Sequence, residues 1–292
     1  MYYVLSIVIG IIIAVMVSVN GQLTMEYGLY LATVMIHITG IITVFVAMIL
    51  RKEKFRFSRK LHWFIYTGGA LGVVTTLFNN LAFGKISVSA ILALSLFGQS
   101  LTSIVIDQFG LFHMEKRPFC KLKWVGIFLV IIGIAYMTVP IKIGAFIPII
   151  VSFVTGLTIV VSRTTNAVIA EKSGALSSSM LNYLVGFVVS FMVLIFAGGL
   201  PHLGQVCLSP RLFIYLGGML GAIAVILSNL TVAKISSFYM TLFLFVGQTS
   251  TGIILDFMIT KKLDIHILMG AIFVSFGLCF NLYLDNRKTK LT

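Results

Sequence analysis

The stretch YTGGALGVVTTLFNNLAFGKISVSAILALSLFGQSLTSIVID, Tyr66 to Asp107, recurs as YLGGMLGAIAVILSNLTVAKISSFYMTLFLFVGQTSTGIILD, Tyr215 to Asp256. Aligned without a gap, 15 of the 42 positions are identical, and the matches include Gly68/Gly217, Gly72/Gly221, Asn80/Asn229, Lys85/Lys234, Gln99/Gln248 and Asp107/Asp256. A repeat this long means that one structural unit is encoded twice. Working outward, Gly10, Asn20, Gly28 and Gly40 align with Gly156, Asn166, Gly174 and Gly186. Beyond the core stretch, Gly126 and Gly133 align with Gly270 and Gly277. The expected division is therefore 1–141 for the first unit and 142–292 for the second.

Both units are too apolar for water. Of 292 residues, 59% are hydrophobic and 10% charged, against about 25% charged in soluble domains. A bilayer core of about 30 Å needs about 20 apolar residues per helix. Ten such segments fit, at 2–23, 29–50, 63–83, 86–109, 124–140, 145–169, 176–197, 212–232, 235–259 and 265–284. The predicted fold is all-α and integral to a membrane, with ten transmembrane helices and no room for a large soluble catalytic module. The first apolar run lacks a basic leader and a small-residue cleavage site, so it is read as a retained helix.

The net charge of +13 does not point to nucleic acid, because the basic residues sit in short loops between apolar runs. Loop 51–61 holds Arg51, Lys52, Lys54, Arg56, Arg59 and Lys60, and loop 110–123 holds Lys116, Arg117, Lys121 and Lys123. With Lys172, Lys234, Arg287, Lys288 and Lys290 these lie on one side, and Lys85, Lys142, Arg211, Lys261 and Lys262 on the other. Excess Lys and Arg mark the cytoplasmic face, so both termini are predicted cytoplasmic. Five spans per unit is odd, so the second unit enters the membrane the other way up. Inverted five-helix repeats place a substrate site near the midplane between them. Three cysteines (Cys120, Cys207 and Cys279) make no evident pair.

Several residues stand out against this apolar background. Gly68/Gly72 and Gly217/Gly221 form GxxxG stripes suited to close helix packing. Gln99 and Gln248 each fall near the midplane by helix rise, where an amide can both donate and accept. They are candidate substrate contacts, or interhelical hydrogen bonds. Asn20 and Asn80 are expected at the outer ends of their spans, and Asn166 and Asn229 at the inner ends, as gate residues or helix C-terminal residues. Arg163 lies inside a span, where a charge faces a cavity or a partner unless it snorkels. Asp107 is its expected ion-pair partner, Glu171 the next choice, and an anionic solute a further one. Asp256 is the repeat mate of Asp107 at the opposite face. His37, whose mate is Tyr183, is a candidate contact or proton carrier.

The residues NGQL at 20–23, GGALG at 68–72, GQSLTSIVIDQFGLF at 98–112, KRP at 116–118 and WVGIFLVIIGI at 124–134 resemble the drug/metabolite transporter superfamily, in its YdcZ-type branch. The second unit keeps GQTSTGIILD at 247–256. The chain is similar to a fused, tandem form of that branch. The resemblance implies a ten-helix transporter in the bacterial plasma (inner) membrane. Relatives that exchange protons for cations use a glutamate in the middle of the first helix. Here that position reads IIIAVMV (11–17), without an acid.

No HExxH, P-loop, GxSxG or CxxC pair is present, so no enzyme activity, metal or cofactor is expected. The expected function is transport, in the export direction, of a small organic solute by alternating access. A non-transporting membrane scaffold is the alternative, and a dry, filled centre would favour it. The expected partners are membrane lipid and a small solute, with the protein a monomer or homodimer.

Overall fold

The computed structural model describes residues 1–58, 61–113, 116, 123–138, 146–199, 208–232, 234–261 and 265–288. The expected boundary at 141/142, the cysteines Cys120 and Cys207, and the basic residues Arg59, Lys60, Arg117, Lys121, Lys142, Lys262 and Lys290 lie outside them. The described residues form α-helices and short 3-10 turns, with no strand. In chain order the helices are α1 Tyr2–Tyr27, α2 Leu29–Leu50, α3 Gly68–Ala82, α4 Val88–Phe109, α5 Lys123–Thr138, α6 Phe146–Ser173, α7 Ala175–Phe196, α8 Leu216–Thr231, α9 Ser237–Thr260 and α10 Ile265–Lys288.

Among the described residues, seven helices are long and apolar enough to cross a membrane, fewer than the ten spans expected. The shortfall is local. The 15 residues of α3 rise about 22 Å, and the preceding 3-10 turn Trp63–Thr67 adds about 10 Å. The pair then matches a hydrocarbon core of about 30 Å. In α5 and α10 the apolar runs are shorter, Trp124–Met137 and Ile265–Asn281.

Helix α1 runs past the expected end at 23 to Tyr27, and α6 past 169 to Ser173. What stops them is a single glycine, Gly28 (φ 78°, ψ 166°) and Gly174 (φ 90°, ψ 153°). Only glycine adopts that region easily. The polar residues before each glycine remain helical because they still satisfy the backbone ladder. Asn20 and Asn166 therefore sit about two turns inside their helices, not at the ends.

The two sequence halves interdigitate. Helix α1 packs on α8 and α9, and α6 packs on α3 and α4. Glycines set the closest crossings: Gly10 meets Gly247, and Gly156 meets Gly98. These are the same two aligned positions with the halves exchanged. Likewise Gly69 meets Gly186, and Gly218 meets Gly40. Helices α4 and α9 pack together, as do α2 and α7, and α5 and α10.

Ser87 and Ser236 cap α4 and α9 by accepting from Ala90 N and Tyr239 N. Each of these helix starts also receives a carboxylate from the far end of the other helix. Asp107 accepts from Ser236 Oγ (2.8 Å) and Phe238 N (3.0 Å). Asp256 accepts from Val88 N and Ser89 N (2.9 Å each) and from Ser89 Oγ. The reciprocal caps require α4 and α9 to run antiparallel. They satisfy orphan N–H groups and place negative charge at positive helix ends.

The outer faces of α2 and α7 expose matching apolar stripes, Ile42, Phe45, Val46 and Ile49 on one and Val188, Phe191, Met192 and Ile195 on the other. Water would not tolerate such a belt, but hydrocarbon does. At the Tyr27 end of α1, the Tyr27 and Tyr215 hydroxyls lie 2.5 Å apart, and both accept from Ser209 N at 2.8 Å.

Candidate functional site

Where the helices diverge around the bundle centre they leave a cavity of about 140 Å³. On α3 its wall is Gly72, Thr75, Thr76 and Asn79, spaced i, i+3, i+4 and i+7 as one helix face. On α8 the aligned positions Gly221, Ala224, Val225 and Ser228 do the same, joined by Asn229. Helix α1 contributes Ile13, Met16 and Asn20, and α6 contributes the aligned Ile159, Ser162 and Asn166. Ile36 and His37 of α2 border it opposite their mates Asn182 and Tyr183 of α7. The wall is thus assembled mostly from aligned pairs, one member from each half.

The second half supplies more of the polarity. Asn166 Nδ2 donates to Asn182 Oδ1 (2.8 Å), and Ser162 Oγ donates to the Gly68 carbonyl across to α3 (2.8 Å). Asn229 Nδ2 donates to Ser179 Oγ (3.1 Å). The Oδ1 atoms of Asn20, Asn79 and Asn229 have no hydrogen-bond partner among the described residues. His37 Nδ1 lies 2.8 Å from the Thr33 carbonyl, which fixes its ring against Tyr183 at 5.8 Å between centroids.

Arg163 also borders the cavity, and it is 6% exposed. It forms no direct ion pair with Asp107. Its Nη2 donates to Thr241 Oγ1 (3.1 Å) and Ser237 Oγ (3.4 Å) on α9. Ser103 Oγ bonds to the same two hydroxyls, at 3.1 and 3.3 Å. Asp107 instead caps α9 through the Ser236 hydroxyl and the Phe238 N–H, and acts on Arg163 only through space. Glu171 is exposed.

The remaining sequence candidates separate cleanly. Gln99 and Gln248, each 1% exposed, are not in the wall. They lie beside Gly98 and Gly247, within the tight crossings of α4 with α6 and of α9 with α1. Gln99 Nε2 donates weakly to Ser95 Oγ (3.4 Å), and among the described residues both Gln248 amide atoms lack partners. Asn80 is buried outside the wall, whereas its mate Asn229 is in it. Asp256, like Asp107, is a helix cap.

The two glycines of each GxxxG stripe have different surroundings. A Cβ at Gly68 would meet the Asn166 side chain (2.5 Å to Oδ1), and one at Gly217 would meet Asn20 Oδ1. A Cβ at Gly72 would meet nothing within 4 Å. Gly68 and Gly217 therefore let helices approach, while Gly72 opens the wall. Sequence reasoning did not pick out Thr75, Thr76, Asn79, Ser162, Asn182 or Ser228. For Thr75, Thr76 and Asn79 the signal was the i, i+3, i+4, i+7 spacing running on from Gly72, and for Ser228 the aligned spacing from Gly221; Ser162 and Asn182 carried no such signal.

Residues 1–136 and 147–280 match the model of a family described as "Putative inner membrane exporter, YdcZ". A solved structure described only as "Crystal structure of protein" superposes with a TM-score of 0.64 at 14% identity, over 97% of this chain and 98% of that one. At that identity the likeness bears on the fold alone. No curated protein matches the chain.

Proposed function

Since this chain belongs to the YdcZ family of the drug/metabolite transporter superfamily, in tandem form, we propose that it moves a small polar solute across the inner membrane through the central cavity. The halves are two inverted repeats, 1–141 and 142–292, with both termini in the cytoplasm, and the solute is exported by alternating access. The observation that carries this reading is the pairwise construction of the cavity wall from aligned positions of both halves. The antiparallel course of α4 and α9, and the exchanged glycine crossings, support the inversion. A site lying on a pseudo-two-fold sees equivalent surroundings towards either face, which suits a solute released on one side after binding on the other.

A scaffold has no need of an open cavity bordered by an arginine and asparagines, so this reading takes precedence over the scaffold alternative. Because the halves interdigitate, the moving bodies are not the halves themselves. They are groups of helices that slide at the glycine crossings, where flat surfaces offer little resistance.

The test needs no substrate. Thr76→Cys is placed in a chain whose native cysteines are replaced by serine, and the protein is reconstituted in oriented vesicles. A membrane-impermeant thiol reagent is then applied to each face in turn. Alternating access requires labelling from both faces. Labelling from neither face returns the protein to the scaffold reading, and labelling from one face alone removes the alternation.

A further inference from the structure

Among the described residues, the cavity wall holds one formal charge, that of Arg163, and no carboxylate. The Nε–H and both Nη1–H groups of Arg163 have no acceptor among those residues. A guanidinium in a low-dielectric interior is stabilised only when its donors are paired, so this arrangement is incomplete as it stands. The protein contains a nearby carboxylate, that of Asp107, and has committed it to the start of α9. The hydroxyls of Ser103, Ser237 and Thr241 hold one edge of Arg163 without neutralising it.

Two asparagines of the same wall have the complementary need. Among the described residues, the Oδ1 atoms of Asn79 and Asn229 are acceptors without donors. A molecule that fits must offer acceptor oxygens with negative charge to Arg163, and at least one O–H or N–H to the asparagines. Its size is bounded too. A cavity of about 150 Å³ holds benzene, so about 140 Å³ holds a solute of about six non-hydrogen atoms.

Resting on the transporter reading above, we infer that the transported solute is a small organic anion, a carboxylate or phosphate that also carries a hydroxyl or amino group, with its anionic end on Arg163. The planar guanidinium matches either oxyanion with two parallel hydrogen bonds. The repeat mate of Arg163 is Val17, which is buried and outside the wall. The anion-binding function is therefore built by one half alone, on a symmetric frame.

The probes are glycerate, inorganic phosphate, glycerol and ethanolamine, similar in size but different in charge. Each is titrated into the purified full-length protein, with thermal stabilisation as the readout, because a ligand of the folded state raises its stability by mass action. Glycerate is expected to stabilise it, and glycerol and ethanolamine are not. Stabilisation by phosphate as well would assign the recognition to oxyanions at large, and its absence would assign it to carboxylates. In Arg163→Gln the glycerate affinity is expected to fall at least about tenfold, the scale of a lost charged hydrogen bond. Gly72→Leu adds bulk to the α3 wall, where a Cβ meets nothing within 4 Å, and is expected to abolish glycerate binding in a protein that still folds. Glycerate binding that survives either substitution overturns the assignment. Binding of glycerol or ethanolamine in preference to glycerate overturns the charge assignment and leaves the transporter reading intact. The transporter reading fails separately, in the two-sided labelling of Thr76→Cys.

Discussion

Replacing Gly72 and Gly156 by alanine, one at a time, should move stability in opposite directions. Both glycines are inside helices with ordinary negative φ, so alanine gains roughly 0.5–1 kcal/mol of helix preference at either. The surroundings decide the rest. At Gly72 the added methyl meets nothing within 4 Å. At Gly156 it would collide with the Ser95 carbonyl oxygen and also lie 2.6 Å from Gln99 N and 2.8 Å from the Gly98 Cα. Ordinary contact begins at 3.4 Å, so α4 and α6 must separate by more than 0.8 Å (3.4 − 2.6) along a rigid backbone-to-backbone crossing. Overpacking of that kind costs about 1–3 kcal/mol. The helix-preference gain is common to both variants, so their difference is the overpacking alone. At roughly 2–4 °C per kcal/mol for a chain of this order of size, the two melting temperatures should differ by about 2–12 °C. The assay is survival of the monodisperse peak in size-exclusion chromatography after heating the detergent-purified protein. Equal losses in both variants would refute the argument, because Gly72 would then be a packing glycine and the wall of the cavity would not be open there.

Removing the caps should destabilise the α4–α9 pair: Asp256→Ala, which loses three donors' acceptor, and Asp107→Ala, which loses two, should each cost about 0.5–2 kcal/mol, with Asp256 the larger. Asparagine at either position should restore part of the loss in the same heating assay, and an unchanged melting temperature in both alanine variants would dismiss the capping role. The double variant Tyr27→Phe, Tyr215→Phe deprives Ser209 N of both acceptors, and hydrogen exchange at the Ser209 amide should accelerate on the order of tenfold for a net loss of about 1.4 kcal/mol. No change there would mean that water already satisfies that amide. A reporter that is active only in the cytoplasm should work when fused to the N-terminus or to the C-terminus, and activity at one end only would contradict an even number of crossings.

Much of the frame was legible because it follows from one-dimensional signals. Apolar runs located the helices to within a few residues, whereas the aligned glycines at 10, 40, 156 and 186 marked only the repeat, and their place at crossings is a finding of the structure. The errors share a cause. The ends of α1 and α6 were placed too early because Thr24, Glu26, Glu171 and Lys172 lower the hydropathy, whereas helices end where the backbone is diverted, here at Gly28 and Gly174. Gln99 and Gln248 illustrate a second limit. Their depth along the helix follows from residue count, but depth says nothing about direction around the axis. The neighbouring Gly98 and Gly247 pointed to tight crossings, and a residue beside such a glycine is turned towards another helix rather than towards a cavity. Asp107 shows a third. Charge alone paired it with Arg163, yet helix starts compete for carboxylates, and the start of α9 outcompetes a guanidinium here.

The exceptions to the repeat are as informative as the repeat. Paired construction explains why the cavity lies where it does: aligned residues of the two repeated segments meet around it. It cannot explain what the cavity accepts, because recognition of a solute with distinct ends requires walls that differ. The wall does contain such differences: Ile36 is the aligned mate of Asn182, Met16 of Ser162 and His37 of Tyr183, and Arg163 borders the cavity while Val17 does not. Other wall mates are identical, as in Ile13 and Ile159, Asn20 and Asn166, or Gly72 and Gly221. Outside the wall some mates keep their chemistry, as in Ser87 and Ser236 or Asp107 and Asp256, and others do not, as in Ser89 and Phe238 or Ser103 and Gly252. The identical pairs frame the cavity, and the unlike ones give it two different sides. That asymmetry suits the proposed solute, one end on Arg163 of α6 and the other on Asn79 and Asn229 of α3 and α8.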